Sequence, residues 1–232
     1  MNGEALFGFL ISLFVFIFIV AVIYSLIKDK KRKEQFSKYC EQNRIKYQED
    51  SEYIIDCNEK FDITSRGKNQ CYYHIMHGTR NDYDFQLIDF YYSIEKTSSK
   101  PPFNKYDETF NETLCVIHKK EINFPHFYML VKGFLNSDVN FLPTIKDYED
   151  IDLIEVKTID GEDMVLVRTR NEDETLQFFD TSKCEAVQKN IKEDLVYEGN
   201  GEYLIVSKLE LLSLDDRLKL LENSIKMFEA IS

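Results

Sequence analysis

The sequence contains no tryptophan and no CxxC pair, and it concentrates positive charge at one place only. Its aromatic residues, 14% of the chain, are all Phe and Tyr, which suits β-rich packing. The five cysteines, Cys40, Cys57, Cys71, Cys115 and Cys184, lie far apart and are odd in number. This spacing excludes a disulfide framework or a zinc ribbon and leads to reduced, mostly buried thiols. There is no internal repeat and no low-complexity segment. Hydrophobic residues at 44% and charged residues at 30% are the proportions of a folded chain rather than a disordered tail.

Charge is also missing from Ala5 to Ile27, a run of 23 residues of which 17 are Leu, Ile, Val or Phe. As a helix it reaches about 35 Å, slightly more than the hydrocarbon core of a bilayer, and its side chains favour insertion by roughly 5 to 10 kcal/mol. A cleaved signal peptide has basic residues before a shorter apolar stretch. Here the order is reversed: Glu4 precedes the run, and Lys28-Asp29-Lys30-Lys31-Arg32-Lys33 follows it. The expectation is a retained single-pass anchor over 1–27, then a basic flank and juxtamembrane helix over 28–43, then an α+β domain over 44–232. Lysine and arginine beside a span stay on the cytoplasmic side, so the N-terminus is expected outside and the domain in the cytoplasm. Lys28, Lys30, Lys31, Arg32 and Lys33 are the expected membrane-flank residues, attracting acidic headgroups by about 1 kcal/mol each. A specific phosphoinositide site there is the sharper alternative.

Residues 34–232 hold 24 basic against 39 acidic residues. A domain of that charge repels nucleic acid phosphates and anionic lipid alike, so nucleic-acid binding is disfavoured. The sequon Asn111-Glu112-Thr113 is expected to stay unmodified on the cytoplasmic side. Small residues four apart, Gly8 with Ser12 and Ala21 with Ser25, leave helix dimerisation open.

Beyond the flank, Phe36, Tyr39 and Cys40 recur at helical spacing and Asn43 suits the left-handed residue that ends a helix. Extended segments are expected at Lys46–Gln48 and Tyr53–Asp56. A hairpin follows, from Cys71–His77 through Gly78-Thr79-Arg80-Asn81 to Tyr83–Ile94, whose second strand carries bulky groups on both faces. Glu95–Thr109 reads as an exposed polar loop, mobile or binding. Strands are expected at Phe110–Lys119 and Phe127–Val131, then at Leu153–Val156 and Met164–Thr169 around Asp160-Gly161. Asn171 and Glu174 form a helix-start pattern, with Leu176, Phe178 and Phe179 as the buried side. A second short helix covers Lys183–Asn190. The last hairpin, Leu195–Tyr197 with Tyr203–Ser207, turns at Gly199-Asn200-Gly201. Ser213 caps a closing helix, Leu214–Ile231, with an apolar stripe of Leu214, Leu218, Leu221, Ile225 and Phe228 laid on the sheet.

Signatures of chemistry are weak throughout. Cys71, His74 and His77 share one strand, where residues three apart point to opposite faces, and zinc needs converging ligands. Cys115 with His118 fails as a nucleophile pair for the same reason, and His126 lies beyond it. The acidic run Asp147, Glu149, Asp150, Asp152 lacks the glycine and distal glutamate of an EF-hand. Gly199-Asn200-Gly201 lacks the third glycine and the helix of a dinucleotide site. No catalytic, metal or cofactor residue is therefore assigned, and no cofactor is expected.

The order of blocks resembles a group of uncharacterised bacterial single-pass membrane-anchored proteins. The likeness runs through the span and basic flank, Ile88-Asp89-Phe90-Tyr91-Tyr92, Glu112–Leu130 with Pro125-His126-Phe127, Asn171–Phe179, Glu198-Gly199-Asn200-Gly201 and the closing helix. The resemblance implies a bacterial inner-membrane protein and no catalytic residue. The expected function is a membrane-anchored cytoplasmic protein-interaction domain, with the lipid bilayer and a protein at the membrane as partners and a homo-oligomer possible. The alternatives are a lipid- or small-ligand-binding module, in which sheet and closing helix enclose an apolar pocket, and an enzyme with an unrecognised site.

Overall fold

The computed structural model describes residues 3–51, 61–98, 101, 104–131, 152–156, 165–169, 171–192 and 194–232. Its first element is one unbroken helix, α1 (Gly3–Asn43). Large apolar side chains between Phe7 and Ile27 stay exposed, Phe14 at 72% and Tyr24 at 69%. A helix apolar all round belongs in a core or in lipid, and this one is long and apolar enough to cross a membrane. Further along the same helix, Phe36 and Cys40 are buried. The left-handed residue at its end is Arg44 (φ 58°), one later than the expected Asn43. Asn43 instead donates its side-chain amide to the Tyr39 carbonyl, while the Ile45 N–H reaches the Cys40 carbonyl at 2.8 Å.

Nine strands form one antiparallel sheet: β1 (Lys46–Ser51), β2 (Lys68–Arg80), β3 (Tyr83–Thr97), β4 (Lys105–His118), β5 (Phe124–Val131), β6 (Asp152–Val156), β7 (Val165–Thr169), β8 (Val196–Gly201) and β9 (Tyr203–Lys208). Their spatial order is β1-β2-β3-β4-β9-β8-β5-β7-β6, so the chain meanders through β4, leaves, and returns to lay β9 against β4. The hairpins β6–β7 and β8–β9 are both present. The Asp160-Gly161 turn, the segment Tyr53–Asp56 and the acidic residues 147–150 lie outside the described residues.

Both faces of β3 are covered, as its sequence requires. Tyr83, Phe85 and Leu87 join a core with Phe36, Cys115, Phe127 and the closing helix. Ile88, Phe90 and Tyr92 join a second core with Phe61, Ile63 and Leu114, beneath a single turn of 3-10 helix (Ile63–Ser65). On the first face lie α2 (Glu172–Phe178), α3 (Thr181–Asn190) and α4 (Leu214–Ile231). Each starts at a side-chain cap: Asn171, Asp180 and Ser213 accept from the backbone N–H three residues on.

Three expectations need correction. The polar stretch Glu95–Thr109 is largely strand, since β3 runs to Thr97 and β4 starts at Lys105. Cross-strand ion pairs hold it: Lys105 with Glu95 at 2.6 Å, Lys68 with Asp107 at 2.8 Å, and Lys96 with Glu108. Gly199 and Asn200 are strand residues paired with Leu204 and Tyr203, not a turn. A Cβ on Gly199 would stand 2.3 Å from the Phe127 ring, so the glycine serves close packing. Leu176 is half exposed, and Thr175 takes the buried place in α2 through its hydroxyl contact with Thr169.

Candidate functional site

The most elaborate polar constellation sits where α1 meets the sheet. Asp89 lies in the middle of β3 and is fully buried. Two arginines converge on it. Arg32 of α1 donates from Nε (3.2 Å) and Nη2 (3.0 Å), and Arg217 of α4, also fully buried, donates from Nη2. Both guanidinium groups stand over the Phe36 ring, at 4.8 Å and 4.3 Å from its centroid. Burial pushes Arg217 down to about 10 against the pull of Asp89, which leaves it charged at neutral pH.

Arg217 also donates to the His74 carbonyl at 2.9 Å. That carbonyl is turned toward it by an irregularity in β2, where the register shifts between Tyr73 and Met76 and His74 has φ +50°. The His74 ring lies between Tyr47 Oη (2.7 Å from Nδ1) and Asp29 Oδ1 (3.2 Å from Nε2). Asp29 can only accept, which assigns the proton to Nε2 and makes the Tyr47 hydroxyl the donor to Nδ1. Burial pushes the Tyr47 phenol up to about 12, so it keeps that proton. The C-terminal part of α1 is thus fastened to β1, β2, β3 and α4 by charge-assisted bonds.

The five flank residues divide accordingly. Arg32 turns inward to Asp89; Lys33 pairs with Glu49 of β1, and Lys30 lies 4.0 Å from Glu34 one helical turn on. Lys28 and Lys31 are exposed. Neither Asp89 nor Arg217 was singled out from sequence, although a signal existed: an acid inside the apolar run Ile88-Asp89-Phe90, and an arginine four residues before Leu221 on the core-facing stripe.

On the opposite face Glu112 accepts from Arg66 (3.0 Å), the Tyr92 hydroxyl (2.7 Å) and the Ser207 hydroxyl, all of them buried. Beside it, buried Glu198 accepts from the backbone N–H of Asp62 (2.6 Å) and Ile63 (2.8 Å) and from His126 (2.8 Å). The ligand atoms of Asp62, His126 and Glu198 lie within 4.8 Å of one another, a spacing that a divalent metal ion could bridge. Both Glu198 oxygens are already occupied, and the cluster acts as a staple fixing residues 61–66 on the sheet.

Cys115 and His118 do not come together. The thiol is buried in the first core and pushed up to about 12 by burial, while His118 stacks on Tyr203 and reaches Glu202 at 3.1 Å. His77 is exposed, away from His74. Cys40, Cys71, Cys115 and Cys184 are free thiols. Between α4 and the sheet, Phe36, Leu87, Phe127, Met129 and Phe228 fill the space. A groove of about 550 Å³ is a surface feature bordered by Lys192, Asp194, Lys208, Asp216 and Lys219.

No family model matches the chain, and no curated protein does, which fits the resemblance to an uncharacterised group. A solved structure does match: the crystal structure of the mycobacterial trehalose monomycolate transport factor A, TtfA. The TM-score is 0.56 at 13% identity, over 86% of this chain and 92% of that one. The two share a fold.

Proposed function

We propose that this chain is a single-pass protein of a bacterial inner membrane whose α+β domain lies in the cytoplasm, N-terminus outside, and binds other proteins at the membrane surface. The observation that carries the reading is the junction: an exposed apolar helix continues without a break into a segment whose Arg32 is bonded to the buried Asp89–Arg217 pair. A tether needing only proximity would do with a flexible linker. A buried ionic junction holds the domain in one orientation, which favours a scaffold presenting a defined face.

The likeness to TtfA, a transport factor by name, supports an accessory role that positions components of a membrane process. The excess of acidic over basic residues beyond the flank favours partners with basic surfaces. Proximity labelling of the full-length chain in its own membrane tests the reading, against a control in which residues 1–33 carry an unrelated acidic domain. The expected result is a reproducible set of membrane or membrane-associated proteins absent from the control. Identical labelling by both would overturn a specific interaction role.

A further inference from the structure

The junction also sets how far the sheet lies from the bilayer. Asp29 and Arg32, which hold His74 and Asp89, stand only two and five residues beyond Ile27, about 3 and 7.5 Å along the helix. After α1 leaves the membrane, β1 runs back along it, as the Lys33–Glu49 pair shows. Each following strand is antiparallel to the last, so β2 points away from the bilayer, β3 toward it and β4 away again. From Asp89, β3 continues eight more residues to Thr97, paired throughout with β4 down to Lys105.

Eight strand residues span about 26 Å. Neighbouring strands rotate by about 20 to 25°, so this arm slants relative to α1. Even at a slant of about 60° it covers about 13 Å along the bilayer normal, more than the rise from Ile27 to Arg32. With α1 along the bilayer normal and a slant up to that value, the end of the arm reaches the headgroup layer, which is about 5 to 7 Å thick on each side.

Its chemistry suits that position. Lys96 and Lys105 of the arm, with Lys68 of the neighbouring β2, pair with Glu95, Asp107 and Glu108, so each of these acids is matched where residues 34–232 as a whole are acidic. Among the described residues, the large exposed hydrophobic side chains outside α1 are Tyr73, Tyr106 and Leu176; Tyr106, paired with Lys96, lies at this end of the sheet, while Tyr73 lies level with Asp89. Tyrosine is favoured where an apolar ring and a polar tip meet a lipid–water boundary. We propose that the β3–β4 arm is a second membrane contact, its end resting on lipid headgroups, so that the domain lies against the bilayer rather than standing off from it.

This inference rests on α1 spanning the membrane, and the test separates the two claims. The chain has no tryptophan, so each introduced one is the sole indole reporter. Full-length F16W, T97W, Y106W and T79W variants are reconstituted in vesicles containing either headgroup-labelled or chain-brominated quenching lipid. Thr97 and Tyr106 stand on opposite faces of the arm, and Thr79 lies about 40 Å back along the sheet. The chain quencher should extinguish F16W. The headgroup quencher should remove most of the emission of T97W, Y106W or both, and leave T79W unchanged. A quenched F16W with both arm reporters bright would overturn the arm contact alone. An unquenched F16W would overturn the anchor itself, and with it the arm contact. Equal headgroup quenching of T79W and the arm reporters would overturn the proposed orientation.

Discussion

Asp89 is the residue whose removal has the clearest consequence. Without it Arg217 keeps its charge in a fully buried site, its remaining anchor being the His74 carbonyl. Asp89→Ala should lower unfolding free energy by about 3 to 5 kcal/mol, the cost of breaking a buried pair from one side. Combining it with Arg217→Met, which removes the orphaned charge and keeps an apolar stem over Phe36, should restore part of the loss in urea melts. A double variant as unstable as the sum of the two singles would show that the groups act separately. Titration adds a second expectation. Burial raises the thiols of Cys40 and Cys115 from 9.0 to about 11 and about 12, and the Tyr47 phenol from 10.0 to about 12. From pH 9 to about 11 the unfolded chain gives up these protons while the folded one keeps them, and they outnumber Arg217, whose lowering to about 10 acts in the opposite sense. The unfolded state therefore binds fewer protons there, and stability falls as pH rises. Denaturation midpoints should decline from pH 9 upward on this account, and a midpoint rising over that range would contradict it. At this scale little of the site was legible in the sequence, because a buried charge betrays itself only through a partner. Arg217 stands 128 positions from Asp89, and Arg32 looks like any other member of a basic flank.

The elements were more legible than the contacts between them. Alternating bulk in β3 gave both covered faces, and Asn171 and Ser213 marked helix starts that the caps bear out. The arm beyond Ile94 was hidden because its residues are polar. A strand extended by Lys–Glu and Lys–Asp pairs, with no apolar alternation of its own, reads as loop. Gly199 likewise looks like a turn residue until Phe127 is seen above it. Helix α1 carries a prediction of its own. Phe36 and Cys40 are buried in the main core, so residues 28–43 contribute packing as well as attachment. A chain beginning at Lys28 should fold cooperatively. One beginning at Arg44 should be less stable by at least about 3 kcal/mol, the scale of losing a buried Phe. Equal urea midpoints for the two chains would place the helix outside the folding unit.

At the scale of the whole molecule, the apolar run and its basic edge were visible from the first residues, and so was the α+β class. What stayed out of reach was how the apolar helix and the domain are joined, since that depends on register and on a buried ion pair rather than on composition. The account makes them one rigid body entering the membrane in one orientation. Protease added to intact cells or spheroplasts, compared with inside-out membrane vesicles from the same cells, tests this most directly. An epitope placed before Asn2 should be lost only from the former, and the domain should be digested only in the latter. Digestion of the domain from the outside, or a mature chain lacking residues 1–27, would contradict it.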